Sequence, residues 1–238
     1  NLSDEDDQLL KDSLGYAMIP ALFVPIQWGT LFVFLYQASN GAWTEPVAWI
    51  GATMTLAICC VTFGINVGHD LGHRPERGFQ HLGKLALMSS LYVHFFIEHN
   101  LGHHRHVSTE NDPASARRRE TVYAFWVRSV VGGFRSAWDI APGQMTRLLA
   151  VQFLIWSALF YAAGIQAGLL AAVGAIGGAL MLEVVNYIEH YGLHRTPLAS
   201  GRYEQVSPMH SWNSDHPLGR ILLFELTRHS DHHANPRR

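Results

Sequence analysis

Charge is scarce in this chain. Only 15% of its 238 residues are Asp, Glu, Lys or Arg, against about 25% in ordinary soluble domains. Cysteine is almost missing. The two present, Cys59 and Cys60, are adjacent inside an apolar run and read as small buried hydrophobes, which excludes a disulfide framework or a zinc ribbon. A basic surplus is missing too. The net charge is −2, and the one compact basic run is Arg117-Arg118-Arg119, so no nucleic-acid partner is expected. The chain starts at Asn1, with Asp4-Glu5-Asp6-Asp7 close behind. No signal-peptide pattern, internal repeat or low-complexity tract is visible.

What the chain does have is long uncharged runs. Residues 17–37 carry no charge over 21 positions, enough to cross a hydrocarbon core of about 30 Å. Pro20 and Pro25 lie inside this run, where a membrane helix tolerates them. Residues 46–69, 148–163 and 167–188 are apolar as well, the last two separated by Gly164-Ile165-Gln166. The expectation is an all-α integral-membrane helical bundle with about four spanning helices, forming one catalytic domain over residues 1–238. Gly174 and Gly178 make a GxxxG pattern suited to close helix approach. Residues 121–138 are aromatic-rich and suit the membrane interface.

Topology follows from the basic residues. Of 17 Lys and Arg, 16 lie from Arg74 onward, and the turns at 38–45 and 164–166 hold none. By the positive-inside rule, those turns face away from the cytoplasm and the histidine-bearing segments face it, as in a bacterial inner membrane. If residues 78–97 crossed the membrane, His99 would emerge opposite His73. That segment is therefore expected to be re-entrant or interfacial.

Histidine is abundant, with 15 in the chain. His69-x3-His73 ends the second apolar run, and Glu98-His99-Asn100-Leu101-Gly102-His103-His104 lies directly behind the short apolar run at residues 91–97. His229-x2-His232-His233 lies near the C-terminus, and His190 ends the last apolar run. On an α-helix His99 and His103 are about 40° apart and can share one metal, while His104 points about 100° further round. Nine imidazoles, His69, His73, His99, His103, His104, His190, His229, His232 and His233, exceed what one ion takes. Two irons, one with five histidines and one with four, would use them all. Asp70, Glu98, Glu189 and Asp231 flank these positions and are candidates to orient an imidazole from another segment. Glu183 shares a helix face with His190. His81, His94, His106, His194, His210 and His216 are left outside the set. His106 precedes Val107-Ser108-Thr109, where the helix should end.

Four stretches carry a resemblance: His-Asp-Leu-Gly-His at 69–73, Glu-His-Asn-Leu-Gly-His-His at 98–104, Asn-Tyr-Ile-Glu-His-Tyr-Gly-Leu at 186–193 and Arg-His-Ser-Asp-His-His-Ala at 228–234. Together with Gly201-Arg202-Tyr203-Glu204 and His210-Ser211-Trp212-Asn213, they resemble the membrane-bound alkane 1-monooxygenases. The first box of that family has Glu where this chain has Asp70. The family also has further helices before the first span here, a longer connection around residues 138–144 and a C-terminal extension. The resemblance implies a di-iron enzyme that uses dioxygen to hydroxylate the terminal methyl of an n-alkane. Its electrons would come from rubredoxin, as a separate chain or a fused one. A hydrocarbon substrate calls for an apolar pocket opening toward the lipid bilayer.

Three other readings compete. A fatty-acyl desaturase or related lipid hydroxylase shares three histidine clusters of similar spacing. An intramembrane zinc metalloprotease would need Glu at position 70 and would leave seven histidines unexplained. A metal transporter would string its histidines along a pore rather than cluster them at helix ends.

Overall fold

A computed structural model describes residues 14–223 and 226–234. Among them every regular element is a helix, beside one isolated bridge between Pro197 and Tyr203. Helix α1 is Leu14–Ser39, with Pro20 and Pro25 inside it. Helix α2 is the continuous run Pro46–Gly72, opened by a proline at its first position and containing a π-helical stretch, Cys60–Asn66. Helix α3 is Arg77–Ser89. Helix α4 joins Phe95–Ile97, a π-helical Glu98–His103 and His104–His106. Helices α5, α6 and α7 are Val122–Ile140, Pro142–Ala163 and Ile165–His190. Two short helices follow, α8 at Pro217–Leu222 and α9 at His229–Ala234.

Four of these are long and apolar enough to span a bilayer: Met18–Ser39 within α1, then α2, α6 and α7, with 22 to 27 residues each. At about 1.5 Å per residue, the shortest exceeds a hydrocarbon core of about 30 Å. Large side chains such as Leu22, Val47, Phe153 and Tyr161 stay exposed on their outer faces, where a soluble protein would place polar groups. The chain is an integral-membrane helical bundle. Residues 78–97 do not form one crossing helix. They supply the 13-residue α3, a turn at Ser90–His94 in which Leu91 takes φ +54°, and the start of α4. Trp156 Nε1 donates to the Met88 carbonyl at 2.9 Å, and the Val93 N–H donates to Gln152 Oε1 at 3.3 Å. The first bond ties α6 to the last turn of α3, and the second satisfies a turn N–H that has no helical partner.

Close backbone approach joins the helices that carry the histidines. Gly178 of α7 sits against α2 so tightly that a Cβ there would lie 2.7 Å from Cys60 Cβ and 2.9 Å from the Ala57 carbonyl. Gly174, one turn earlier, faces the Leu56 side chain, whose Cδ2 would lie 2.9 Å from an added Cβ. Gly83 of α3 packs on Gly68 of α2, where an added Cβ would meet the Gly68 carbonyl at 2.9 Å. The GxxxG pattern thus fixes the separation of α2 and α7, whose ends carry His69 and His190. Inserting a methyl into such a seam costs about 1–3 kcal/mol. Gly178→Ala should therefore lower the melting temperature of the detergent-solubilised protein. Gly29→Ala, which meets nothing within 4 Å, should not. Equal behaviour of the two variants would show that the seam is not tight.

Candidate metal centre

Each histidine box ends or forms a short helix, and the ends meet. His69 leaves the last turn of α2 and His73 caps it. α4 supplies His99, His103 and His104; α7 ends on His190; α9 supplies His229, His232 and His233. The nine form two groups, His69, His73, His99, His104 and His232 in one, His103, His190, His229 and His233 in the other. Within either group the available ring nitrogens all lie within 4.8 Å of one another.

In the larger group the Nε2 atoms close a ring. His69 to His232 is 3.1 Å, His232 to His104 3.1 Å, His104 to His99 3.0 Å, His99 to His73 3.1 Å and His73 to His69 3.2 Å. In the smaller group His103 Nε2 is 3.2 Å from His233 Nε2, which is 2.8 Å from His229 Nε2, itself 3.0 Å from His190 Nε2. A hydrogen bond between neutral imidazoles needs one N–H and one lone pair. Five nitrogens in a closed ring cannot alternate these roles all the way round, because five is odd. A cation inside the ring satisfies every lone pair at once. The nitrogen-only donor set suits a first-row transition metal rather than calcium or magnesium.

Burial keeps His73 and His104 neutral and ready to donate. It pulls His73 down to about 4, and burial together with the neighbouring imidazoles pulls His104 down to about 2. Both are then uncharged at neutral pH.

The pairing inside α4 corrects an expectation. On an α-helix His99 and His103 would share a metal, but the structure puts them in different groups and joins His99 to His104 instead. The reason is the π-helical stretch Glu98–His103, in which the His104 N–H reaches back to the His99 carbonyl. The wider i→i+5 turn brings His99 and His104 onto one face and turns His103 to the other. A box of three histidines in six residues thereby serves two sites.

Comparison with known proteins bears on the same residues. A sequence model described as fatty acid desaturase matches residues 44–238. The chain belongs to the fatty acid desaturase family. Alkane 1-monooxygenase 1 of Alcanivorax borkumensis is 37% identical over 96% of this chain and 60% of its own length. Alkane 1-monooxygenase 2 of the same organism is 40% identical over 95% of this chain and 60% of its own length. The alkane 1-monooxygenase of Ectopseudomonas oleovorans is 36% identical, over 94% and 59% respectively. The chain thus spans about three-fifths of the length of these curated relatives.

In this member of the fatty acid desaturase family the carboxylates sort differently from the sequence expectation. Asp70 faces Arg74 at 3.7 Å rather than an imidazole, as one-turn helix neighbours of opposite charge do. Glu189 Oε2 lies 3.4 Å from His229 Nδ1, but neither atom has a hydrogen-bond partner, so the two are neighbours across segments without the bond that would orient the ring. Glu98 is buried, and its Oε1 has no hydrogen-bond partner. The side chain of Asp231 lies outside the described residues. Sequence reading missed Asp112. Its Oδ2 is 2.9 Å from His103 Nδ1, and its carboxylate also accepts from Ser115 Oγ at 2.5 Å and from the Ala114 N–H at 3.0 Å. A carboxylate on Nδ1 holds the proton there and leaves Nε2 free to coordinate. Nothing in the nine-residue spacing from His103 marked it, since a loop rather than a helix makes the contact.

The excluded histidines fall outside both groups. His210 accepts the Ser207 N–H at 2.9 Å and lies 3.3 Å from Glu204. His94 stacks edge-on with Tyr92 and Phe134. His106 closes α4. The stretch His210–Asn213 braces the centre instead. The Trp212 N–H donates to the Glu189 carbonyl at 2.7 Å, and Asn213 exchanges two hydrogen bonds with Ser230 at the start of α9.

A small cavity of about 10 Å³ touches both groups through His99 and His103, room for about one water. The expected apolar pocket is only part of its wall. Phe95, Pro113, Ala114 and Gly133 share it with Tyr92, Glu98, Ser129, Glu183 and Asn186. Many large apolar side chains of the spans point outward, while Glu98, Glu183 and Asn186 are buried beside the cavity.

Asp112→Asn should weaken metal retention about 10–100-fold, measured as metal remaining after dialysis against a chelator. Asp70→Asn should leave it unchanged. If Asp112→Asn retained metal like the unaltered protein, the Asp112–His103 contact would play no part in holding the centre.

Proposed function

We propose that this chain is the catalytic core of an alkane 1-monooxygenase that hydroxylates the terminal methyl of medium- to long-chain n-alkanes to 1-alkanols with dioxygen. Two non-haem irons take the two histidine groups, five ligands on one and four on the other. Rubredoxin, separate or fused, brings the electrons. The observation that carries the reading is the pair of nitrogen-only groups side by side at the ends of apolar helices, in a chain whose relatives are named alkane 1-monooxygenases. Iron supplies the redox change that attack on an unactivated C–H bond requires, and zinc does not.

The chain's own work is to hold, orient and keep dry. Nine imidazoles fix the ions, while Asp112 fixes the orientation of one of those rings. An alkane has no polar handle, so it is held by apolar contact alone. One methylene is worth only about 1–3 kcal/mol in such a site, and a range of chain lengths is accepted. Phe95, Ala114 and Gly133 beside His99 and His103 form the place for the reacting methyl. Small displacements of these side chains must admit it, because the cavity itself holds no more than about one water.

Purified protein supplied with iron, a rubredoxin-linked reductant chain and octane should yield 1-octanol. No alcohol from octane, but an alkene from a fatty-acyl substrate, would replace the oxygenase reading with a desaturase.

The ligand set is tested at His190, which lies outside the three compact boxes. His190→Ala should lose metal and at least about 10²-fold in turnover. His106→Ala should keep both. The reverse pattern would break the nine-ligand assignment.

In a bacterial inner membrane the metal groups face the cytoplasm. A cysteine placed by Asn40→Cys, in the turn after α1, should react with an impermeant thiol reagent from the periplasmic side. Labelling from the cytoplasmic side alone would overturn that orientation.

A further inference from the structure

Glu183 lies two turns before the end of α7, 2% exposed within a helix that crosses the membrane. An ionisable side chain at such a position is costly and calls for a reason. Neither histidine group contains it. Tyr92 Oη donates to its Oε1 at 2.7 Å, Asn186 Nδ2 donates to the same oxygen at 3.3 Å, and Ser129 Oγ donates to Oε2. These partners come from the turn after α3, from α5 and from α7 itself. All four residues line the cavity that touches His99 in one metal group and His103 in the other.

Two of the three donors are hydroxyls, and hydroxyls rotate. A carboxylate at Glu183 receives all three donors; a protonated carboxyl donates while Ser129 or Tyr92 turns to accept. Both protonation states are then satisfied inside the membrane. A purely structural tie needs only one of them. The titratable groups that share the cavity are Tyr92, His94, Glu98, His99 and His103. Of these, Tyr92 touches Glu183 directly.

We infer that Glu183 is a proton-transfer group for oxygen reduction at the metal centre, acting through one water in the cavity; this rests on the oxygenase reading. Each turnover converts an alkane RH, O2, two electrons from the external donor and two protons into ROH and H2O. A proton leaves the Glu183 carboxyl for the oxygen atom that ends as water. The carboxylate left behind keeps its hydrogen bonds from Tyr92 and Ser129. It takes its next proton from water entering past Pro113 and Ala114, which line the cavity.

The test compares the metal-loaded protein with its Glu183→Gln and Glu183→Asp variants by infrared spectroscopy in H2O and D2O, by metal content and by turnover. The unaltered protein should show a carboxyl C=O stretch that shifts in D2O. Glu183→Gln should remove that component, keep the metal and lose about 10²-fold in turnover. Glu183→Asp should restore the band and part of the rate. An unchanged band and rate in Glu183→Gln would overturn the inference. So would a loss of rate that only follows a loss of metal. If the unaltered protein makes no alcohol, the oxygenase reading fails, and the infrared comparison still decides whether Glu183 holds an exchangeable proton.

Discussion

Buried lone pairs aimed at one another need a positive charge between them, and the rest of this molecule is arranged around that need. Nine ring nitrogens stand about 3 Å from their neighbours in two groups. Unfilled, such clusters would combine desolvation with repulsion, and the proton count cannot satisfy the larger one. The helices that carry the rings are held with matching closeness. Glycines at 174 and 178 set α7 on α2, and glycines at 68 and 83 set α3 on α2. The bundle brings the histidine-bearing helix ends together, and a cation in each group would make that meeting stable.

Much of this was legible in the residues themselves. Uncharged runs with few Lys or Arg between them announced the spanning helices, because a bilayer imposes length and apolarity directly. The nine histidines were legible from their spacing and their place at the ends of those runs. A split into five and four followed from coordination number alone. Which histidine joins which group was not legible, since it turns on the π-helical stretch at Glu98–His103. One wider turn exchanges His103 for His104 on a given face. No residue in that stretch signals it, because π turns are stabilised by what they hold rather than by intrinsic propensity. The Cys60–Asn66 stretch of α2 is similar: its Cys60 carbonyl accepts from the Ser90 hydroxyl at 3.2 Å from outside the helix.

Contacts across loops were equally silent in the sequence. Asp112 reaches His103 by a turn braced by Ser115, and Asn213 fixes α9 through Ser230. Flanking carboxylates were visible as candidates, but their roles depended on direction. Asp70 found an arginine one turn away, and Glu189 came to lie beside His229 without bonding to it. Glu183 was visible only as an acid on the face of His190. Its meaning comes from the polar wall that Tyr92, Ser129 and Asn186 build around it. A membrane bundle with outward apolar faces thus encloses a polar interior at its metal-bearing end.

The central claim is that two ions hold the two histidine groups. Elemental analysis of the purified, detergent-solubilised protein tests it most directly. The account predicts two iron ions per chain, retained through dialysis at neutral pH. One tightly held ion per chain, or none, would leave a cluster of buried lone pairs without its cation and would contradict it.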